Sequence, residues 1–262
     1  MPIAQHRTGS GEPLLLIHGI GSQWQMWEPV IEPLAREHEV VAIDLPGFGD
    51  SPPLDVPPTI EALADAVASL RLDRPHVAGN SLGGAIALEL GARGLARSVC
   101  ALSPAGFAAG REQGYARAVL RLSRLGARVL EPVARQAMGT AAGRTLLARH
   151  LIAKPWRQSP DAGAGALRAL AGATGFEQTL GEVSDWQARR PPRCPTTIAW
   201  GEHDRLLIFS RQFPRARRRI PDAEYVVLRG CGHVPTWDDA DQVMRVIRSA
   251  AYSPSQLRGQ AP

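Results

Sequence analysis

Ser81 stands at the centre of Gly79-Asn80-Ser81-Leu82-Gly83, between the short apolar run Pro75-His76-Val77-Ala78 and the helix-like stretch Gly84-Ala85-Ile86-Ala87-Leu88-Glu89-Leu90. A G-x-S-x-G pattern at a strand-to-helix junction lifts a serine hydroxyl onto a sharp turn where a base and a substrate can both reach it. Glycine on either side removes Cβ atoms that would hold strand and helix apart, and a strained turn needs that room. In a chain with 26 glycines among 262 residues, the bare pattern arises by chance about 0.14 times. Its placement and its partners therefore carry the weight.

A serine nucleophile requires a histidine to take its proton, and the histidine requires an acid to orient it. Seven histidines are available: His6, His18, His38, His76, His150, His203 and His233. The chain order that goes with this turn is serine, acid, histidine. Asp204 follows the apolar run Thr196-Thr197-Ile198-Ala199-Trp200 through Gly201-Glu202-His203, which puts it at the C-terminal end of a predicted strand. Open α/β sheets gather their ligands along that edge. Only His233 lies beyond it, in the loop Gly230-Cys231-Gly232-His233-Val234-Pro235. Three residues able to act together thus fall on three loops of one predicted edge.

The elements that must position them follow from periodicity. Strand candidates are Leu14 to His18, Val40 to Asp44, His76 to Gly79, Ser98 to Leu102, Thr196 to Trp200 and Tyr225 to Leu228. Most are continuously apolar, as in a parallel sheet covered on both faces. Helical patterns fill the gaps at Trp27 to Glu37, Ile60 to Leu70, Leu82 to Arg93, Leu206 to Arg219 and Ala240 to Ala251. The predicted class is α/β, a mostly parallel central sheet with helices on both faces. One interval breaks the alternation: residues 106–191 carry amphipathic helices and no convincing strand, and read as a helical cap inserted into a core of 1–105 and 192–252. Leu122, Leu125, Val129 and Val133 recur there at helical spacing, with Arg121, Arg124, Arg128 and Arg135 on other faces. Asp161-Ala162-Gly163-Ala164-Gly165-Ala166 reads as a mobile loop between cap helices, and residues 253–262 read as a flexible tail.

Composition narrows the class. Hydrophobic residues make up 44% and charged residues 21% of the chain, and no apolar run approaches the roughly 18 residues that a membrane span needs. The N-terminus lacks a basic region followed by an apolar stretch, so a cytoplasmic location is expected. Three cysteines, Cys100, Cys194 and Cys231, without C-x-x-C spacing suggest buried hydrophobes rather than disulfides or a zinc site. The +5 charge is spread along the chain without aromatic interleaving, which speaks against nucleic acid. The run Arg215-Ala216-Arg217-Arg218-Arg219 reads as a solvated helix end. Gly19-Ile20-Gly21 lacks the third glycine of a dinucleotide loop, and neither a phosphate loop nor HExxH is present. No cofactor and no metal are expected, the partner is a small-molecule substrate, and oligomeric state is unreadable.

Taken together, these segments resemble the α/β-hydrolase superfamily over nearly the whole chain. His18-Gly19-Ile20-Gly21 looks like its HG loop, Asp44-Leu45-Pro46-Gly47-Phe48-Gly49-Asp50-Ser51 like its D-x-P-G-x-G-x-S segment, and Trp200-Gly201-Glu202-His203-Asp204 like its acid turn. The resemblance implies Ser81 as nucleophile, His233 as general base and then acid, and Asp204 as the orienting carboxylate. The backbone N–H groups of Ile20 and Leu82 would form the oxyanion hole, and His18 would support its loop. Trp27 and Trp200 are expected in the core, whereas Phe107 and Trp237 are candidate substrate contacts. The leading expectation is a hydrolase of small carboxylic esters working through an acyl-enzyme. Two alternatives stay open: a carbon–carbon bond hydrolase of vinylogous diketones, suggested by Asn80 and Trp237, and a non-hydrolytic ligand receptor or biosynthetic cyclase on the same fold.

Overall fold

A computed structural model describes residues 2–252. Seven strands, Gln5–Thr8 (β1), Glu12–Ile17 (β2), His38–Ile43 (β3), His76–Asn80 (β4), Ser98–Leu102 (β5), Thr196–Gly201 (β6) and Glu224–Leu228 (β7), form one sheet in the order β1-β3-β2-β4-β5-β6-β7. Every pairing is parallel except that of β1 with β3. β1 is absent from the sequence reading because Gln5-His6-Arg7-Thr8 carries no apolar signal. It lies at the sheet edge, alternately exposed and half-buried, where burial asks little of its side chains.

The continuous apolar character of the inner strands has a direct cause. Successive side chains alternate between two cores, one on each face. Leu15, Ile17, Val41, Val77, Val99 and Ile198 pack on one side with helices Ile60–Ala68 (α2), Leu82–Ala92 (α3) and Phe209–Arg219 (α9). Leu14, Leu16, Val40, Ala78, Cys100 and Ala199 pack on the other with Glu28–Leu34 (α1) and Ala240–Ala251 (α10). Trp27 and Trp200 are fully buried, as expected of core residues.

Between β5 and β6 the described chain is helical: Arg111–Leu130 (α4), Ala134–Met138 (α5), Ala141–Ala148 (α6), Pro160–Gly172 (α7) and Phe176–Val183 (α8). Its own core is small, built from Ala127, Ala134, Met138, Ala164, Leu167 and Ala171. One expectation fails here. Residues 161–166 are not a loop; they form the first turns of α7, because the Ser159 side chain caps Ala162 N–H at 3.1 Å and Pro160 sits at the first helical position. Alanine's high helix propensity then outweighs the interspersed glycines.

α4 has the amphipathic period read from the sequence, with its leucine stripe outward: Leu122, Leu125 and Val129 are 67%, 60% and 69% exposed, while Arg124 is 6% exposed. Arg124 donates to the Ala173 carbonyl at 2.6 Å and lies over the Phe176 ring. The arginine run at the end of α9 is likewise only partly a solvated face. Arg217 and Arg218 are exposed, but Arg215 is half-buried and pairs with Glu112 at the start of α4. The tail, residues 253–262, lies outside the described residues.

Candidate active site

Parallel strands that end at one edge bring their following loops together. Ser81 directly follows β4, with φ +56° and ψ −114°, a region that only a closely constrained side chain holds. The constraint is visible in its neighbours. A Cβ on Gly79 would lie 2.1 Å from the Gly83 carbonyl oxygen, and one on Gly83 would lie 2.1 Å from that of Ile17. The turn is pinned by Ser81 N–H donating to Leu102 O at 3.0 Å and by Ser81 O accepting from Ala105 N–H at 3.0 Å. α3 starts at the next residue, so Leu82 N–H has no intrahelical acceptor and points along the helix dipole.

Asp204 is held from all sides. Its Oδ1 accepts from Leu206 and Leu207 N–H at 2.9 Å each, and its Oδ2 accepts from Trp200 Nε1–H at 3.1 Å. The same Oδ2 meets His233 Nδ1 at 2.8 Å. This bond fixes the imidazole tautomer and leaves Nε2 as the nitrogen available to a hydroxyl. Asn80 ties the elbow to this loop: its side-chain amide donates to Leu102 O at 3.1 Å and to His233 O at 2.9 Å.

The His233 loop is also stapled to the helical insertion. Asp238, fully buried, accepts from Gly232 N–H at 2.7 Å, Lys154 N–H at 2.6 Å and Ala153 N–H at 3.1 Å. Burial pushes its carboxyl up, against the pull of those three donors. Val234 N–H adds a bond to Leu151 O at 2.9 Å. Sequence reasoning missed Asp238, because a carboxylate five residues beyond the histidine carries no local pattern. The roles of Asn80 and Trp200 as braces were equally invisible, since their partners lie far away in the chain or depend on a side-chain direction.

His18 has both ring nitrogens engaged, Nδ1 donating to Gly19 O at 2.7 Å and Nε2 accepting from Leu45 N–H at 2.9 Å. Burial pushes its pKa down, which keeps Nε2 an acceptor. It braces the loop that carries Gly19 and Ile20. Cys231 is fully buried and burial pushes its thiol up to about 12, so it is not a reactive thiolate.

Ser81, Asn80, His233 and Ile20 open onto one cavity of about 770 Å³, walled on its far side by α4, α6 and α7. Trp237 lines it. Phe107 does not: it is fully buried, edge-on to Trp200 at 6.2 Å between ring centroids, because the chain turns it back into the core before α4 begins. Leucine, alanine, methionine and glycine dominate the wall, and its charged residues are Glu28 and Asp161, with no lysine or arginine. One polar pair from the insertion faces in. Ser123 Oγ donates to Val119 O at 2.7 Å and meets His150 Nε2 at 2.7 Å, which puts the ring proton on Nε2 and leaves Nδ1 an acceptor. Burial pushes the His150 pKa down, keeping it neutral. Among the described residues no cluster of His, Cys, Asp or Glu is arranged to hold a metal ion, and no helix is long and apolar enough to cross a membrane.

Comparison with known proteins agrees with this architecture. A pimeloyl-[acyl-carrier protein] methyl ester esterase of Aeromonas hydrophila is 30% identical over 260 residues, covering 94% of this chain and 98% of that protein. The enol-lactonase of Burkholderia xenovorans superimposes with a TM-score of 0.75 at 19% identity, covering 96% of each chain. An esterase of Thermogutta terrifontis gives a TM-score of 0.67 at 24% identity, covering 94% of this chain and 92% of that one. At such identities the two structures speak for the fold alone. The family model described as alpha/beta hydrolase matches residues 14–246, and with the sheet and elbow already described, the chain belongs to the alpha/beta hydrolase family and is an enzyme of the hydrolase type.

Proposed function

We propose that this hydrolase cleaves uncharged carboxylic esters with an apolar acyl or alkyl part, using Ser81, His233 and Asp204. His233 Nε2 takes the Ser81 proton as Oγ attacks the acyl carbon, while Asp204 stabilises the imidazolium that forms. The oxygen that gains charge accepts from Ile20 and Leu82 N–H. Collapse of the tetrahedral intermediate breaks the carbon–oxygen bond, and His233 passes its proton to the leaving alkoxide. Water then attacks the acyl-enzyme by the same route in reverse roles and releases the acid. Residues 106–191 act as the cap that forms the substrate-facing wall.

The observation that carries this reading is the 2.8 Å Asp204–His233 bond at the mouth of a cavity with apolar walls. The Aeromonas relative, an esterase of a methyl ester, agrees with it. The Asn80 amide is spent on the Leu102 and His233 carbonyls, so Asn80 braces the elbow and offers a substrate no free N–H. A wall whose charged residues are acidic disfavours anionic substrates. His150 and the buried oxygens Gln25 Oε1 and Gln158 Oε1, which have no partner among the described residues, are the acceptors that a substrate donor group would find beside the apolar side chains.

Hydrolysis of p-nitrophenyl acetate, butyrate and octanoate by the full chain tests this. Turnover of the longer uncharged esters is expected, with a loss of about 10³-fold or more in Ser81→Ala and covalent capture of Ser81 by a fluorophosphonate, read by peptide mass. Undiminished activity in Ser81→Ala would sink the mechanism.

A further inference from the structure

The outer face of α4 has an unusual design. Its apolar stripe, Leu122, Leu125, Val129 and then Val133, points away from the protein, and Leu146 of α6 is 75% exposed beside it. The alternating three- and four-residue spacing keeps the stripe on one face of the helix. A contiguous apolar patch rimmed by charge marks an interaction surface. Two of its members reach further: Leu122 and Leu146 also line the cavity that holds Ser81. The cavity mouth is thus lipped by the same exposed leucines.

Charge is segregated in the same direction. Of the chain's 30 basic and 25 acidic residues, 106–191 hold 13 and 6, a formal charge of +7, which leaves −2 for the remainder. Arg121, Arg128 and Arg149 are exposed on α4 and just after α6. Arg128 and Arg149 have no carboxylate partner among the described residues. Leucines outward with guanidinium groups between them is the arrangement of a helix that lies in a lipid headgroup layer, apolar side chains among acyl chains and arginines on phosphates.

We propose that this face docks on an anionic lipid surface, with the cavity mouth opening onto the acyl region. A second copy of the chain is a poor occupant, because it would set the exposed Arg121, Arg128 and Arg149 against their own copies along the stripe. Continuity of the apolar lip with the cavity favours lipid, since an uncharged ester dissolved in that layer passes from one apolar environment into another. Delivery of substrate rests on the ester-hydrolase reading, but docking does not, and the experiment separates them.

The full chain as Ser81→Ala is sedimented with vesicles of phosphatidylcholine alone and of phosphatidylcholine with phosphatidylglycerol. Binding to the anionic vesicles and not to the neutral ones is expected, falling as salt rises. Arg128→Gln with Arg149→Gln should weaken it about thirtyfold, and Leu125→Ser with Val129→Ser at least tenfold. Neither pair lines the cavity, so both double variants in the wild-type background should hydrolyse a water-soluble ester at the parental rate, which also shows that they fold. Absence of binding to anionic vesicles overturns the proposal. So does equal binding by the Leu125→Ser, Val129→Ser variant, or a concentration-dependent dimer in sedimentation velocity that this variant abolishes. If vesicle binding holds while no ester is turned over, the hydrolase reading fails and docking stands.

Discussion

The sheet edge and the helical insertion are built on opposite terms. At the edge every functional group is over-determined: Ser81 by glycines that leave no room for a Cβ, Asp204 by four donors, His233 by Asp204 on one side and by Asn80 on its carbonyl. The insertion has a core of alanines, one methionine and one leucine, and it turns Leu122, Leu125 and Leu146 outward and Arg124 and Arg144 inward. Rigid main chain at the edge suits a reaction whose geometry must hold within fractions of an ångström. A thinly packed, apolar, outward-facing insertion suits the choice and capture of what reacts. On the proposed function, chemistry belongs to one region and selection to the other, and Asp238 hydrogen-bonds across to both.

The comparison breaks most visibly at Asp204. Asp204→Asn keeps the volume but turns an amide N–H₂ toward His233 Nδ1 and Trp200 Nε1–H, so kcat should fall about 10⁴-fold while the loss of stability stays within about 1–3 kcal/mol. Ester hydrolysis and a melting curve of the same preparation check it. A variant of near-parental activity would hand the role to another acid. Substitutions at insertion residues that line the cavity, such as Leu147, Leu167 and Leu170, should by contrast act on KM and on chain-length preference.

Asp238→Ala attacks the joint itself. It leaves Gly232, Ala153 and Lys154 N–H without their acceptor, and an unsatisfied buried donor costs about 1–3 kcal/mol. The loss expected is about 3 kcal/mol or more of unfolding free energy, with a fall in kcat as well, because the His233 loop and the insertion separate together. Urea unfolding beside steady-state kinetics measures both. If stability falls but kcat and KM are untouched, the two regions are not coupled through this carboxylate.

The turns at the edge and the helical character of the insertion were readable in the sequence, while the packing of the insertion was not, for a physical reason. Elbow, HG loop and acid turn are local: tight turns demand particular residues at fixed offsets, and the order of Ser81, Asp204 and His233 along the chain selects among seven histidines. Phe107 went astray because its direction depends on how the chain enters α4, which no offset records. α4 showed its period but not its facing, since periodicity says that a helix has two faces without saying which one meets the protein. β1 and the braces Asp238 and Asn80 depend on partners far away in the chain. Residues 161–166 are helical because the Ser159 cap and the alanines outweigh Gly163 and Gly165.

Acid should find the histidines that burial holds neutral in both regions, His18 at the edge and His150 in the insertion. His18 is buried with Nε2 accepting from Leu45 N–H, and its pKa in the folded chain is lowered by that burial. The unfolded chain takes up this proton as pH falls through about 6.5, while the folded one resists. His18 therefore contributes its full share of stability above about pH 6.5, and loses it as pH falls toward the folded value, at up to about 1.4 kcal/mol per pH unit. Unfolding free energy should be lower at about pH 5.5 than at about pH 7.5. The imidazole carbon-proton shift of His18 should still report a neutral ring at about pH 6.5, and a half-titrated ring there would undo the account.

The smallest effect is expected at Cys231, and it gauges how tightly the joint is closed. The thiol sits one residue before Gly232, fully buried against the face that α10 covers, and burial holds its pKa at about 12. Thiolate is the species that alkylates, so iodoacetamide at mildly alkaline pH should leave Cys231 unmodified in the native protein and esterase activity intact. Modification then requires a local opening of the 230–235 loop. Asp238→Ala removes the bond that holds Gly232 in place, so peptide mapping should find Cys231 labelled faster in that variant under conditions where it remains folded. Equal labelling in both would mean that the loop keeps its closure without Asp238, and the joint would have to be sought in the Val234–Leu151 bond instead.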